Sequence, residues 1–202
     1  MMRLGLYGGS FDPIHYGHVR PVLKAVERLQ LDRVLYLPTA RPPHKAEGPF
    51  ASPLHRFVMV ELALLDHDRL QVSDFELVER PAYTVETLEG FAARFPEAQL
   101  HLLLGSDSLA AIESWRRWRD LFPLARVGVL RRPGWSRERV SGSASPELRA
   151  AIDGGDVNWI ENRPLEISAT EIRRRVAAGE RLPGGWLPEP VVQYIRKYSL
   201  YP

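Results

Sequence analysis

Apolar residues fall along the chain in two alternating rhythms. Residues 3–8 and 33–37 are short apolar runs, and between them Val19, Val22, Leu23, Val26 and Leu29 recur every three or four positions. Runs of that length read as buried strands and the stripe as a helix. The first forty residues therefore predict a β-α-β unit, which implies parallel pairing through a right-handed crossover. The rhythm then repeats. Ser52 is placed to cap a helix carrying Phe57, Val58, Leu62 and Leu65, residues 70–78 read as extended, and residues 83–88 start a helix with Leu88, Phe91, Ala92 and Phe95 on one face. Residues 98–104 are almost continuously apolar, as in a central parallel strand covered on both faces. Trp115, Trp118 and Phe122 lie on a short arginine-studded helix, where such spacing usually means core, although one exposed ring would stack on a heteroaromatic base. Residues 126–130 and 157–160 read as two more strands, residues 135–146 as a surface loop rich in serine, glycine and charge, and residues 188–198 as a closing helix with Val191, Val192 and Ile195. The expected fold is α/β, an open parallel sheet flanked by helices with a small C-terminal helical portion, in one domain over residues 1–202.

Composition narrows the class. Hydrophobic residues at 45% and charged residues at 26% are globular values, and the absence of cysteine excludes a disulfide framework and thiolate metal sites. With no long apolar core at residues 1–6 and no run of membrane-spanning length, the expectation is a cytoplasmic protein without a membrane partner. A net charge of +2 and the lack of an RNA-binding motif argue against a nucleic-acid partner. Only three of the 27 cationic residues are lysines. Arginine's planar fork suits phosphate, but outside motifs the bias reads equally well as surface or genome composition.

Three stretches carry chemistry. In Gly8-Gly9-Ser10-Phe11-Asp12-Pro13, the end of the first strand meets two glycines that let a polyanion approach the backbone, and Asp12-Pro13 supplies turn chemistry, the aspartate bonding the backbone ahead. A helix then opens, its first amides facing any anion at the turn, with His15 and His18 three apart on one face and Gly17 keeping the space between them clear. The second stretch is Pro42-Pro43-His44-Lys45, on a loop that leaves strand two at Thr39. Ligands of open α/β sheets sit at the carboxyl ends of strands, so His44 and Lys45 would reach the edge that His15 and His18 occupy, unless this is simply an exposed basic loop. At the same edge, Gly105-Ser106-Asp107 follows the central strand, and Asp107 either caps the next helix or accepts bonds from ribose hydroxyls. Thr84 with Thr87 is a capping arrangement or a source of pocket hydroxyls. The third stretch is Ser168-Ala169-Thr170-Glu171-Ile172-Arg173. Ser168 and Glu171 have capping-box spacing, and the same geometry presents free amides, two hydroxyls and Arg173 to an anion.

Taken together, Gly9-Ser10-Phe11-Asp12-Pro13 with His15-x-Gly17-His18 and the late Ser168-x-Thr170-x-x-Arg173 resemble the two-part signature of the nucleotidyltransferase superfamily, whose sheet is Rossmann-like. Pro42-Pro43-His44-Lys45, Tyr83-Thr84-x-x-Thr87-Leu88, Gly105-x-Asp107 and Trp115 resemble its bacterial nicotinate mononucleotide adenylyltransferases. The resemblance spans nearly the whole chain. It implies transfer of AMP from ATP to nicotinate mononucleotide, giving nicotinate adenine dinucleotide and pyrophosphate in NAD biosynthesis, with Mg2+ carried by the ATP and no metal site on the protein. It further implies that Gly8, Gly9, Ser10 and Phe11 bracket phosphates, that His15 and His18 contact the α- and β-phosphates, and that Ser168, Thr170 and Arg173 hold the β- and γ-phosphates. His44 and Lys45 would approach the phosphates, Gly105 would contribute to the ATP site, Asp107 would bind the ribose, and Thr39, Tyr83, Thr84 and Trp115 the nicotinate mononucleotide, with Trp115 stacked on the pyridine. The family often carries asparagine where this chain has Thr39-Ala40-Arg41, so Thr39 or a backbone group takes over that contact.

Rival readings fit less well. Pantetheine-phosphate adenylyltransferases share the outer motifs, but Tyr83-Thr84 and Trp115 argue against that class. No Gly-x-Gly supports a dehydrogenase, no Gly-Lys pair a P-loop NTPase, and His15 with His18 lack a third zinc ligand at recognisable spacing. A non-catalytic nucleotide sensor would have no need of His15, His18 and Arg173 together. Homo-oligomerisation is compatible with the sequence.

Overall fold

Strands and helices alternate as the rhythm predicts. The computed structural model describes residues 1–40, 50–78 and 82–202. β1 (Arg3–Gly9), α1 (Tyr16–Leu29), β2 (Arg33–Pro38), α2 (Pro53–Leu64), β3 (Leu70–Val72), α3 (Thr84–Arg94) and β4 (Gln99–Gly105) make the first half. The second half holds α4 (Ser106–Ala110), 3-10 turns at Ile112–Ser114 and Trp118–Asp120, α5 (Leu121–Leu124), β5 (Arg126–Leu130), α6 (Arg137–Ser143), α7 (Pro146–Gly154), β6 (Val157–Ile160), α8 (Ala169–Ala177) and α9 (Glu189–Lys197). Among the described residues no helix is long and apolar enough to cross a membrane.

The six strands form one parallel sheet in the order β3-β2-β1-β4-β5-β6. The chain winds outward from β1 through β2 to β3, then returns to β4 on the other side of β1, so the winding reverses between β1 and β4. At such a switch point the crossovers leave toward opposite faces and a crevice opens at the strands' carboxyl ends. The period of two along β1 divides the core. Leu4 and Leu6 join a cluster with Leu88, Phe91, Leu102 and Leu104 on one face, while Tyr7 joins Val19, Val22, Tyr36 and Leu103 on the other. Gly5 falls on the second face because a Cβ there would lie 2.9 Å from Val34 Cγ2 and 3.0 Å from Leu31 Cδ1.

Several expectations are corrected. Residues 70–78 are not one extended segment: pairing stops at Val72, and Ser73 Oγ accepts from Phe75 N (3.3 Å) as the chain turns. α2 buries Arg56, Met59, Val60, Ala63 and Leu64, leaving Leu65 61% exposed. The helix is rolled by Arg56, whose guanidinium reaches the carbonyls of Ser10 (2.6 Å) and Ala51 (3.2 Å). The loop expected at 135–146 contains α6, and α7 follows it. The serines that suggested a loop are caps, Ser136 accepting from Arg139 N and Ser145 from Leu148 N. Trp115 to Phe122 is not a single helix: Trp115 is extended after the first 3-10 turn, and a second at Trp118–Asp120 runs into α5, with Trp118 buried.

Phe91 ties α3 to the sheet, its ring 2% exposed and 4.6 Å from that of Phe75. Phe91→Ala is expected to cost about 3–5 kcal/mol, through lost transfer energy and the cavity left behind. The shift in urea midpoint at constant slope measures it.

Candidate active site

At the end of β1 the chain passes through a turn that side chains from distant segments hold in place. Phe11 has a positive φ of 46°, unusual for a bulky residue, and its ring is packed 5.5 Å from Tyr7, 5.5 Å from Tyr36 and 5.3 Å from His18. That ring occupies the space a Cβ on Gly9 would need, at 3.0 Å. Asp12 is 4% exposed. Its side chain does bond backbone ahead of it, but far ahead: it accepts from Phe50 N (2.7 Å) and Ala51 N (3.1 Å), and also from the Tyr201 hydroxyl (2.8 Å). Arg173 reaches the same residue, donating to its carbonyl at 2.7 Å, with the carboxylate 4.0 Å away.

The two histidines have unequal surroundings. His15 is the N-cap of α1 and His18 its third residue. The His15 amide donates to His18 Nδ1 (3.3 Å), which leaves the proton of a neutral His18 ring on Nε2. The rings lie 3.8 Å apart, and a Cβ on Gly17 would come within 2.8 Å of His15 Nδ1, so glycine is required there. His15 is buried, and burial, with Arg132's charge second, pushes its pKa down to about 3. Its Nδ1 has no hydrogen-bond partner among the described residues. Of the two imidazoles expected on one face, His18 lines the cleft, and the neutral, buried His15 ring packs against it.

The cleft itself, about 430 Å³, opens at the switch point. It brings together Gly8, Gly9, Ser10, Phe11, His18, Thr39, Tyr83, Thr84, Gly105, Asp107, Trp115 and Arg173 of the expected site. At Gly105 a Cβ would collide with Asp107 Oδ1, and Gly105 rather than Asp107 is the N-cap of α4. Asp107 is exposed in the first turn, at the cleft. Ser168 and Thr170 are exposed on either side of Ala169, which lines the cleft. Ser168 Oγ accepts from Glu171 N (3.1 Å), but the Glu171 carboxylate pairs with Arg174 and Arg175, so the reciprocal half of the capping box is not made. Thr170 Oγ1 accepts from Arg173 (3.3 Å). His44 and Lys45 lie outside the described residues.

Sequence reasoning missed three polar residues. Glu76 lines the cleft, 6% exposed, accepting from Thr39 Oγ1 (2.5 Å) and Thr87 Oγ1 (2.8 Å). Burial raises its pKa against the pull of the two hydroxyls. Thr87 is thereby a second-strut hydroxyl and not a cap, since Tyr83 is the N-cap of α3 and makes no side-chain cap bond. Buried Arg56 braces the glycine turn through Ser10, and Arg132, at the carboxyl end of β5, lines the cleft. Of these, the edge rule that drew attention to His44 and Asp107 applies equally to Arg132; nothing local marks Glu76 or Arg56.

The cytidylyltransferase-like family model matches residues 6–175. A probable nicotinate-nucleotide adenylyltransferase of Chromobacterium violaceum is 40% identical over 98% of each chain, and one of Neisseria meningitidis serogroup B is 37% identical over 100% of this chain and 99% of its own. The chain belongs to this adenylyltransferase family. The fold agrees, since Plasmodium falciparum nicotinic acid mononucleotide adenylyltransferase complexed with NaAD superimposes with a TM-score of 0.79, at 21% identity, over 100% of this chain and 98% of that one.

The His15 ring should not titrate between pH 8 and 5, which ring 15N chemical shifts will show. An unfolded histidine takes up its proton near pH 6.5 and folded His15 only near 3, so the unfolded state binds more protons over that window and stability must fall as pH falls through it. Buried His101, its pKa lowered to about 4, adds to the same trend.

Proposed function

We propose that the enzyme transfers AMP from ATP to nicotinate mononucleotide, forming nicotinate adenine dinucleotide and pyrophosphate. The observation that carries this reading is one cleft, joining a phosphate-type turn with His18 and Arg173 to a wall made of Tyr83, Thr84 and Trp115. The names of the relatives support it. A phosphate oxygen of the mononucleotide attacks the α-phosphorus, the new P–O bond forms, and the bond to the bridging oxygen breaks with its electron pair leaving on pyrophosphate. The attacking oxygen is already anionic, so no general base is needed. What the protein must supply is in-line placement and positive or hydrogen-bonding groups where charge accumulates.

In this reading His18 Nε2–H donates to the α- and β-phosphates, and the His15 amide keeps the ring in that tautomer. Arg173, with Ser168, Thr170 and the open amides of α8, holds the β- and γ-phosphates, while the Gly8–Phe11 backbone brackets the junction of the two substrates. Asp107 binds ribose. Trp115 stacks on the pyridine, and backbone amides near Tyr83 and Trp115 take the carboxylate. The phosphate end offers amides, imidazole and guanidinium, and the Asp12 oxygens are already taken by Phe50, Ala51 and Tyr201. Such a donor set suits an anion, so we assign magnesium to the triphosphate, where it would neutralise charge on the departing pyrophosphate. Both substrates are cytoplasmic metabolites, and the cytoplasm is where we place the reaction.

Purified protein with ATP, magnesium and nicotinate mononucleotide should form the dinucleotide and pyrophosphate, faster than with the nicotinamide form. Equal or faster turnover of the nicotinamide substrate would refute the preference for the acid, and transfer to neither would refute the reading. In the same assay His18→Ala should lower kcat about 100-fold or more with little change in KM for ATP, as expected for a donor whose bond strengthens in the transition state.

A further inference from the structure

Arg132 follows β5, and its guanidinium lines the cleft beside the switch point. Nη2 donates to the Tyr7 hydroxyl (2.9 Å) and Nη1 to the Gly17 carbonyl (3.0 Å). That carbonyl needs a partner because of Pro21. Within α1 the Gly17 oxygen would accept from the amide four residues on, and proline has no amide to give. The backbone of Arg132 is itself held, its amide donating to Oγ of the fully buried Ser106 (3.0 Å). Three elements, β1, α1 and α4, thus fix one guanidinium.

All of these partners are neutral. Of the other arginines lining the cleft, Arg116 lies 3.4 Å from the Glu86 carboxylate and Arg173 4.0 Å from that of Asp12, whereas Arg132 makes no ion pair within 4.0 Å among the described residues. The Asp107 carboxylate lies close by across Gly105, since both side chains crowd the place a Cβ there would take. A guanidinium has five N–H donors, and neutral acceptors take two of them here, leaving donors free for a ligand and a charge that no carboxylate approaches within ion-pair distance among the described residues. Arg132 thus touches α1 at Gly17, between His15 and His18 in sequence, and lies beside Asp107 of α4, within reach of a phosphate whose ribose is held at Asp107.

We propose that Arg132 is a further catalytic residue, binding the phosphate under attack, held in place by Tyr7 and by the carbonyl that Pro21 leaves open. The proposal rests on the adenylyl-transfer reading above. Charge on the equatorial oxygens of that phosphate grows during the displacement, so the contact should strengthen in the transition state and appear in kcat more than in KM.

The test compares wild type, Arg132→Lys and Arg132→Ala with ATP and nicotinate mononucleotide, with melting temperatures and with guanidinium chloride added at millimolar concentration. Expected are a loss in kcat of about 10-fold for the lysine variant, which keeps charge but not the fork, and about 100-fold or more for alanine, with KM for nicotinate mononucleotide within about 3-fold. Partial rescue of Arg132→Ala by guanidinium is also expected. A kcat for Arg132→Ala close to wild type would overturn the proposal, as would a loss that follows a lowered melting temperature and is not rescued. If wild type itself transfers nothing, the reaction is misread; binding of inorganic tripolyphosphate then decides the site, supporting it if Arg132→Ala binds at least 10-fold more weakly and overturning it if affinity is unchanged.

Discussion

Everything at the switch point leans on one buried carboxylate. Asp12 is withdrawn from water, and a polar group so placed is tolerable only when its acceptors are filled. The three donors that fill them come from the start of the α2 region and from the far end of the chain, and Arg173 of α8 closes on the carbonyl of the same residue. The turn preceding α1 is thereby fastened to three segments separated by up to 189 positions. Removing the carboxylate would not simply loosen a loop; it would leave two amides and a hydroxyl without their acceptor in the position that aims the glycine turn and Arg173.

From that fixed point the cleft extends between two braced walls. On the phosphate side the groups are amides, His18 and arginines. His15 contributes no charge of its own, because burial and the field of Arg132 keep it neutral. Its backbone amide donates to His18 Nδ1, and its ring packs against that of His18. On the opposite side lies Glu76, a buried acid whose oxygens are covered by two threonine hydroxyls from β2's end and α3. This strut joins the segments that carry Thr39 and Tyr83, so that wall of the cleft is braced as the glycine turn is, by a carboxylate turned inward.

What could be read from the sequence follows from how local each signal is. β1 to β6 and the long helices were legible because their apolar periods are intrinsic to the segment. So were the glycine turn, the two histidines and the start of α8, each of which is a run of adjacent residues. α6 was not, since a helix that buries only Val140 has no stripe to detect. The face of α2 was missed for another reason: a buried arginine sets it, and only the carbonyls it meets, from residues 10 and 51, explain why. Glu76 and Arg132 depend likewise on partners 11 to 125 positions away, which no local pattern encodes. Pro21 looks like a defect in a helical stripe until the guanidinium that uses the freed carbonyl is seen.

Tyr201 gives the site an order of assembly. The hydroxyl that completes the shell around Asp12 belongs to residue 201, whereas the turn it completes is made within the first dozen residues. On the ribosome, β1, β2 and the first crossover can pair long before that tyrosine emerges, but the carboxylate they carry inward lacks one of its three donors until a residue 189 positions further along has been added. The turn after β1 is thus finished long after it is synthesised.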